Sequence, residues 1–365
     1  MSIQGAYGYQ LRQVGQPLNI AELPPLEPLA DEVIVKVAGC GVCHTDIGFA
    51  YDGVPTRHQL PLVLGHEVTG QVVAAGEDAQ DWQGRNVIVP AVISCGRCPA
   101  CLAGRPTICR KQFMPGNDGD GGFASHMRVP AHGLCPVPQR LPAGLSLEAL
   151  SVVADAVTTP FEAIRRSGLK GGEVAAIVGA GGIGGFGVQI AAALGAKVVA
   201  IDIDWERLEL AQRHGASLVF NSGACDEKLL KTQVRKFAAE FGATGSTLKI
   251  FEMSGTVTGQ QTAFNLLDFG AYLGIVGYTP KKVEVRLSNL MALDATAQGN
   301  WGCPAEQYPN ALALVLDGKI AVEPFIDRHK LEEIPEIMEG MAKHAFRRRV
   351  VLVPDGPAAG TRRAS

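Results

Sequence analysis

The stretch EVAAIVGAGGIGGFGVQIAAALGAKVVAID, residues 173–202, carries the pattern that decides the fold. It opens with an apolar, strand-like run, EVAAIVG, continues as the helix-like GIGGFGVQIAAALG, and closes on a second strand-like run, KVVAID. At the first junction Gly179-Ala180-Gly181-Gly182-Ile183-Gly184 fits G-x-G-x-x-G, in the strand-then-helix context that gives this otherwise weak pattern its meaning. The first glycine permits the tight turn, the second lets backbone approach a pyrophosphate, and the third lets helix and strand pack closely. The N–H groups at the helix start then face the phosphates. Asp202 ends the next strand, 18 residues after Gly184. A carboxylate there accepts from ribose hydroxyls and repels a 2′-phosphate. Asp204 adds to that repulsion and Trp205 brings no positive charge, so NAD is expected in preference to NADP. The plainer alternative is a glycine-rich turn without a ligand. The joint placement of strand, helix and acid argues against it.

Outward from this unit the alternation continues through WERLELAQRHG, LKIFEMS, TGQQTAFNLLDFG and AYLGIVG, the pattern of a parallel sheet with crossover helices. A doubly wound α/β domain is therefore expected over residues 156–295. Residues 1–155 are punctuated by glycine and proline and carry short strand candidates such as EVIVKV (32–37) and NVIVPA (86–91). Residues 296–365 should return to that β-rich domain, with helical patterns at 305–316 and 331–343, a strand at 349–353 and a small, polar tail from 355.

Length and composition narrow the class of protein. The 365 residues exceed one compact core and suit two domains. Hydrophobic residues at 47% against 19% charged exclude a disordered chain. A net charge of -3 argues against a nucleic-acid partner. The apolar run 174–201 is interrupted by glycines, Gln189 and Lys197, so a membrane span is not expected. No secretory h-region is visible at the N-terminus. With nine cysteines this points to a reducing, cytoplasmic location, where clustered thiols read as metal ligands before disulfides.

Two clusters follow from that reading. Cys95, Cys98, Cys101 and Cys109 give C-x2-C-x2-C-x7-C, four thiolates able to close on one structural zinc with no position left for chemistry. An iron–sulfur cluster is the main rival, disulfides a distant third. The second cluster pairs Cys43, in Cys43-His44-Thr45-Asp46, with His66, in Gly65-His66-Glu67. Each alone is more often packing than a ligand. Beside a dinucleotide fold they suggest an open, catalytic metal site.

The segments CGVCHTD, GHEVTG, the four-cysteine stretch and GAGGIGG, in this order, resemble the zinc-containing medium-chain alcohol dehydrogenases over nearly the whole chain. The resemblance implies a GroES-like catalytic domain split around a Rossmann domain, with the active site in the cleft between them. It implies NAD, two zinc ions per subunit, a small-molecule substrate and a homo-oligomer, dimer or tetramer. It maps catalytic zinc ligands onto Cys43 and His66, and a third onto Asp155 in VVADAVTTP. A helix N-terminal acid is the bland alternative for Asp155. Glu67 is the reserve ligand or a group behind the metal. Thr45 resembles the hydroxyl that passes the alcohol proton outward, and Asp46 the carboxylate that orients the ligand histidine. His44 is expected near the cofactor pyrophosphate, and Arg349 matches an arginine that approaches the same group. One departure matters: a relay histidine is usual a few residues past CHTD, whereas this chain has Ile47-Gly48-Phe49-Ala50-Tyr51. Tyr51 and His58 are the substitutes to consider.

Longer segments, YQLRQVGQPL (9–18), FMPGNDGDGGFASH (113–126), VVADAVTTP (152–160), EVRLSNLMALDA (284–295) and GNWGCPAEQYP (299–309), resemble the 6-hydroxycyclohex-1-ene-1-carbonyl-CoA dehydrogenases of anaerobic aromatic degradation. That narrower resemblance implies oxidation of a ring hydroxyl in a CoA thioester to the 6-oxo product. Arg57, Arg110, Lys111 and Arg128 are candidate CoA contacts, each also readable as solvated surface charge. Trp301 and Cys303 could line a pocket or fill core. A dehydrogenase of small aliphatic, cyclic or aromatic alcohols, and a noncatalytic zinc and dinucleotide sensor, are the alternatives.

Overall fold

A computed structural model describes residues 2–242 and 247–354 of the chain. The tail expected from 355 lies outside the described residues. The chain divides into two compact units. The first comprises Met1–Asp155, Pro304–Pro309 and Ile326–Ser365, the second Ala156–Cys303 and Asn310–Phe325.

The second unit is built on a six-stranded, all-parallel sheet. Its order across the sheet is Ala216–Asn221, Lys197–Asp202, Val174–Val178, Leu248–Glu252, Tyr272–Ile275 and Thr296–Gly299. In chain order that is 3-2-1-4-5-6, the doubly wound arrangement, with its switch point beside the central strand Val174–Val178. Every residue of that strand is buried, as expected for a strand covered on both faces. The helix that follows, Gly184–Ala193, buries its first eight residues for the same reason. The sheet does not stop at 295 as expected. Thr296–Gly299 pairs with Tyr272–Ile275 as a sixth strand, and the segment Asn310–Phe325 also packs into this unit. The sheet's extension past 295 escapes the apolar pattern for a simple physical reason. Thr-Ala-Gln-Gly is an edge strand with mostly exposed residues, so it carries no apolar run.

The first unit is organised by a seven-stranded, mostly antiparallel sheet. At its centre Glu32–Gly41 pairs with Glu67–Ala75, with Arg349–Val353 and with His126–Pro130. Glu67–Ala75 in turn pairs with Asn86–Val89. The strand candidates at 32–37 and 86–91 thus correspond to real strands, the first longer than its apolar run. The antiparallel pairing sets Gly41 opposite Glu67 and Val351 opposite Gly41. Three distant stretches of chain therefore meet at one end of the central strand. A short helix, His44–Ala50, starts immediately after it. Around this frame Val33, Val35, Leu62, Val68, Phe123, Val350 and Leu352 form the apolar core. Among the described residues no helix is long and apolar enough to cross a membrane.

Candidate active site and metal centres

In the first unit, Cys43, His66, Glu67 and Asp155 bring one donor atom each within 4.8 Å of one another. Cys43 is the N-cap of the His44–Ala50 helix, directly after the central strand. His66 precedes the neighbouring strand Glu67–Ala75. Asp155 follows the buried 3-10 turn Ala149–Ala154. Its Oδ2 lies 3.9 Å from Cys43 Sγ and 3.8 Å from His66 Nε2. It faces this cluster instead of capping the next helix, whose N-cap is Val157.

Asp46 ties the two ligand-bearing loops together. One oxygen accepts from Cys43 N at 2.9 Å and the other from Gly65 N at 3.2 Å. The second oxygen also stands 3.4 Å from His66 Nδ1. Asp46 is fully buried, so these partners are what make its charge tolerable. Thr45 Oγ1 sits 3.6 Å from Cys43 Sγ on the half-buried side of the helix.

Behind the donors, Arg349 and Glu67 form a buried, two-pronged pair, Nε to Oε2 at 3.0 Å and Nη2 to Oε1. Arg349 Nη2 is also 3.8 Å from Asp155 Oδ2. Gly41 is needed here: a Cβ at that position would meet Glu67 Oε2 at 2.1 Å. Arg349, expected at the cofactor pyrophosphate, has its guanidinium engaged inside this cluster. His44 is exposed and stacks on His344, with Nε2 3.2 Å from Nδ1.

Electrostatics in the cluster ready the thiol for a metal and keep on the imidazole a proton that a metal would displace. Burial pushes the Cys43 thiol up, but Arg349 and His66 outweigh it and hold the thiol below its ordinary value. Burial disfavours charge on His66, yet Asp46 and then Asp155 hold its proton well above the usual imidazole range. Thiolate, imidazole and carboxylate, three donors from three segments, are a donor set that zinc accepts, with a coordination position to spare.

The second group of donors is the cysteine lobe. Cys98 Sγ lies 3.5 Å from Cys101 Sγ and 3.7 Å from Cys109 Sγ, and Cys109 Sγ lies 3.5 Å from Cys95 Sγ. All four are free thiols. Four sulfurs about 2.3 Å from one zinc would sit about 3.8 Å apart, so the spacing fits a single ion. An iron–sulfur cluster would spread its thiolates wider. The backbone N–H of Arg97 helps lower the Cys95 thiol to about 6, toward the thiolate form.

In the second unit, Gly179 adopts φ +92°, and a Cβ there would collide with Ser254 at 2.6 Å. A Cβ on Gly184 would meet the Gly179 carbonyl at 1.7 Å, so the third glycine of the motif is a packing requirement. Gly181 is open by comparison, its closest neighbour being Arg207 at 3.6 Å. Gly182 and Ile183 continue the turn into the helix, with Ile183 as N-cap. Asp202 accepts from Ala180 N at 2.7 Å and from Ile203 N at 2.8 Å, which locks the glycine turn to the end of its strand. Arg207, missed in the sequence reading, brings Nη1 to 3.9 Å from Asp202 Oδ1. Its only signal was a cation five residues beyond Asp202.

The remaining candidates are placed elsewhere. Arg57 pairs with Asp118 and Arg128 with Glu32 at the surface. Tyr51 packs against the first unit's core, and burial, then Glu339, raises its hydroxyl's pKa. His58 is exposed beside the Gln59 carbonyl. Trp301 is half exposed and Cys303 is buried.

Comparison with known proteins agrees with this geometry. Residues 29–139 match the alcohol dehydrogenase GroES-like domain, and residues 182–317 the zinc-binding dehydrogenase family. An alcohol dehydrogenase of Geobacillus stearothermophilus is 31% identical over 94% of this chain and 98% of its own. The galactitol-1-phosphate dehydrogenase of Escherichia coli superposes with a TM-score of 0.84 at 26% identity, covering 95% of this chain and 100% of its own. A zinc-binding dehydrogenase of Sinorhizobium meliloti 1021, solved with NADP, gives 0.83 at 28% identity over 96% and 99%. Fold and site together define a zinc-dependent oxidoreductase acting on CH–OH groups. The chain belongs to the zinc-type medium-chain alcohol dehydrogenase family.

Proposed function

We propose that this chain interconverts a small aliphatic, cyclic or aromatic alcohol and its carbonyl compound, using NAD, in a reducing cytoplasmic compartment. The observation that carries the reading is the convergence of Cys43, His66 and Asp155 with the Thr45 hydroxyl 3.6 Å from Cys43 Sγ. Cys43, His66 and Asp155 would hold zinc, which would supply a Lewis acid easing loss of the alcohol proton, and the glycine turn 179–184 would hold NAD, which would supply the hydride acceptor.

The residues do the rest. The Cys43 thiolate and the Asp155 carboxylate would together offset a dication, and His66 would add a neutral donor once the metal displaces its proton. Asp46 fixes the histidine ring and, through the Cys43 and Gly65 amides, the spacing of two ligand loops. The Thr45 hydroxyl can accept the alcohol proton while donating its own onward. Residues 47–51 offer no imidazole to continue that path. In the second unit the open Gly181 admits pyrophosphate, while Asp202 and Asp204 favour unphosphorylated ribose. A homo-oligomer is part of the same reading.

A narrower reading, oxidation of the ring hydroxyl of a cyclic hydroxyacyl-CoA, is supported by the five long segments quoted above. Of its candidate CoA contacts, Arg57 and Arg128 already have carboxylate partners. The deciding experiment follows NADH formation by zinc-loaded enzyme with cyclohexanol, benzyl alcohol, ethanol and 6-hydroxycyclohex-1-ene-1-carbonyl-CoA in parallel. Turnover of free alcohols supports the broad reading. Turnover of the thioester alone supports the narrow one. Binding of NAD and zinc with no turnover of any substrate would mark a noncatalytic sensor.

A further inference from the structure

The segment Pro304–Pro309 belongs to the first unit, although the residues on both sides of it belong to the second. Its last aromatic residue, Tyr308, is 1% exposed and is the largest fully buried side chain described. The hydroxyl donates to the Ala154 carbonyl at 2.6 Å and accepts from the Ala91 amide at 3.1 Å. The Ala91 amide itself lies 3.4 Å from the same carbonyl.

Ala154 is the last residue of the 3-10 turn Ala149–Ala154, all six residues of which are buried. The final carbonyls of such a turn have no partner within it, and a buried carbonyl without one is costly. Tyr308 supplies the close partner. The carbonyl of residue 154 lies in the same rigid plane as the amide of residue 155. Holding that oxygen therefore fixes the plane from which the Asp155 side chain departs. Asp155 has φ -144° and ψ -57°, outside helix and strand, so no regular element sets its direction.

We propose that Tyr308 is a positioning residue for the catalytic metal: its hydroxyl pins the Ala154 carbonyl and so aims the Asp155 carboxylate at Cys43 and His66. The proposal rests on Asp155 being the third ligand. A tyrosine that only filled core would be replaceable by phenylalanine without consequence for the metal. A positioning tyrosine would not.

The test uses full-length enzyme with both metal sites filled, in four forms: Tyr308→Phe, Asp155→Asn, the double variant, and Met338→Ala as a core cavity made elsewhere in the first unit. Two quantities are read on the folded fraction isolated by gel filtration. One is release of the catalytic metal to a chromogenic chelator. The other is the visible spectrum after Co²⁺ exchange at that site. Tyr308→Phe should speed release by about 10-fold and shift the Co²⁺ bands, the scale seen when a group behind a metal ligand is lost. On the Asp155→Asn background it should add nothing, because the group it aims is gone. The cysteine site should release its metal at the parental rate throughout. If Asp155→Asn changes both quantities and Tyr308→Phe neither, the positioning role is overturned while the ligand stands. If Asp155→Asn changes neither, the ligand reading itself fails. An equal shift in Met338→Ala would reduce the effect to general loosening and also overturn the proposal.

Discussion

Glu67 and Arg349 lie 282 positions apart in the chain, yet they make a deeply buried ion pair of the candidate site. Breaking such a pair from one side leaves an uncompensated charge, a loss of about 3–5 kcal/mol. Glu67→Gln should therefore destabilise the protein on that scale in urea unfolding. The apolar double variant Glu67→Leu/Arg349→Met should regain most of the loss. A single variant within about 0.5 kcal/mol of the parent would show that the pair carries little. Glu252, at the end of a parallel strand, gives a pH-dependent case. Burial raises its carboxyl above the ordinary 4.5, although Ser254 and Gly255 donate to one oxygen. The folded state then holds the proton more tightly than the unfolded state. Its contribution is complete below the unfolded value and is lost as pH rises through the folded one. The stability difference between parent and Glu252→Gln should thus fall across that acid window and stay flat above it. A difference that rises with pH would refute the raised carboxyl. At this scale the sequence exposed the residues whose chemistry is rare, Cys43, His66 and the cysteine quartet. It hid the role of Arg349 beside Glu67 and the reach of Tyr308 to Ala154, because both partnerships exist only after distant strands or segments pair.

The glycine turn separates packing from binding within one element. A methyl on Gly184 has nowhere to go against the Gly179 carbonyl, so Gly184→Ala should cost about 3 kcal/mol in denaturant unfolding, the upper range for overpacking. Gly181→Ala meets only Arg207 at 3.6 Å and should leave stability within about 0.5 kcal/mol. Its effect should surface in NAD affinity, read by fluorescence titration, because the backbone must approach the pyrophosphate there. Equal damage from both substitutions would undo this division of roles. The cysteine lobe makes a parallel point. Its helix, Pro99–Leu102, buries no residue, so the lobe has little apolar packing of its own. Cys98→Ser should remove one metal per chain by elemental analysis. It should also open the lobe to trypsin at Arg97 or Arg110, with the circular dichroism of the sheets retained. Protease resistance equal to the parent would mean that other contacts hold the lobe. Elements buried on both faces were legible as continuous apolar runs. Thr296–Gly299 was not, because an edge strand covered on one side has no such run to show.

That same edge bears on the whole molecule. The six-stranded sheet ends at Thr296–Gly299, a strand with one neighbour among the described residues. Open edges invite pairing with another chain, and soluble proteins commonly cover or charge them. This one carries no charged residue. The connection leading into it presents Tyr278, Leu287 and Met291, the last two 68% and 77% exposed. Large apolar side chains grouped in one connection beside an open edge suit an interface between copies of the chain. A stable one needs about 800 Å² from each partner. Leu287→Asp together with Met291→Asp places two charges where such an interface would exclude water. By light scattering, the parent should have a multiple of the single-chain mass and the double variant the single-chain mass, with NAD affinity little changed. A parent already at the single-chain mass would refute the oligomer. A variant that keeps the parental mass would move the interface to another surface.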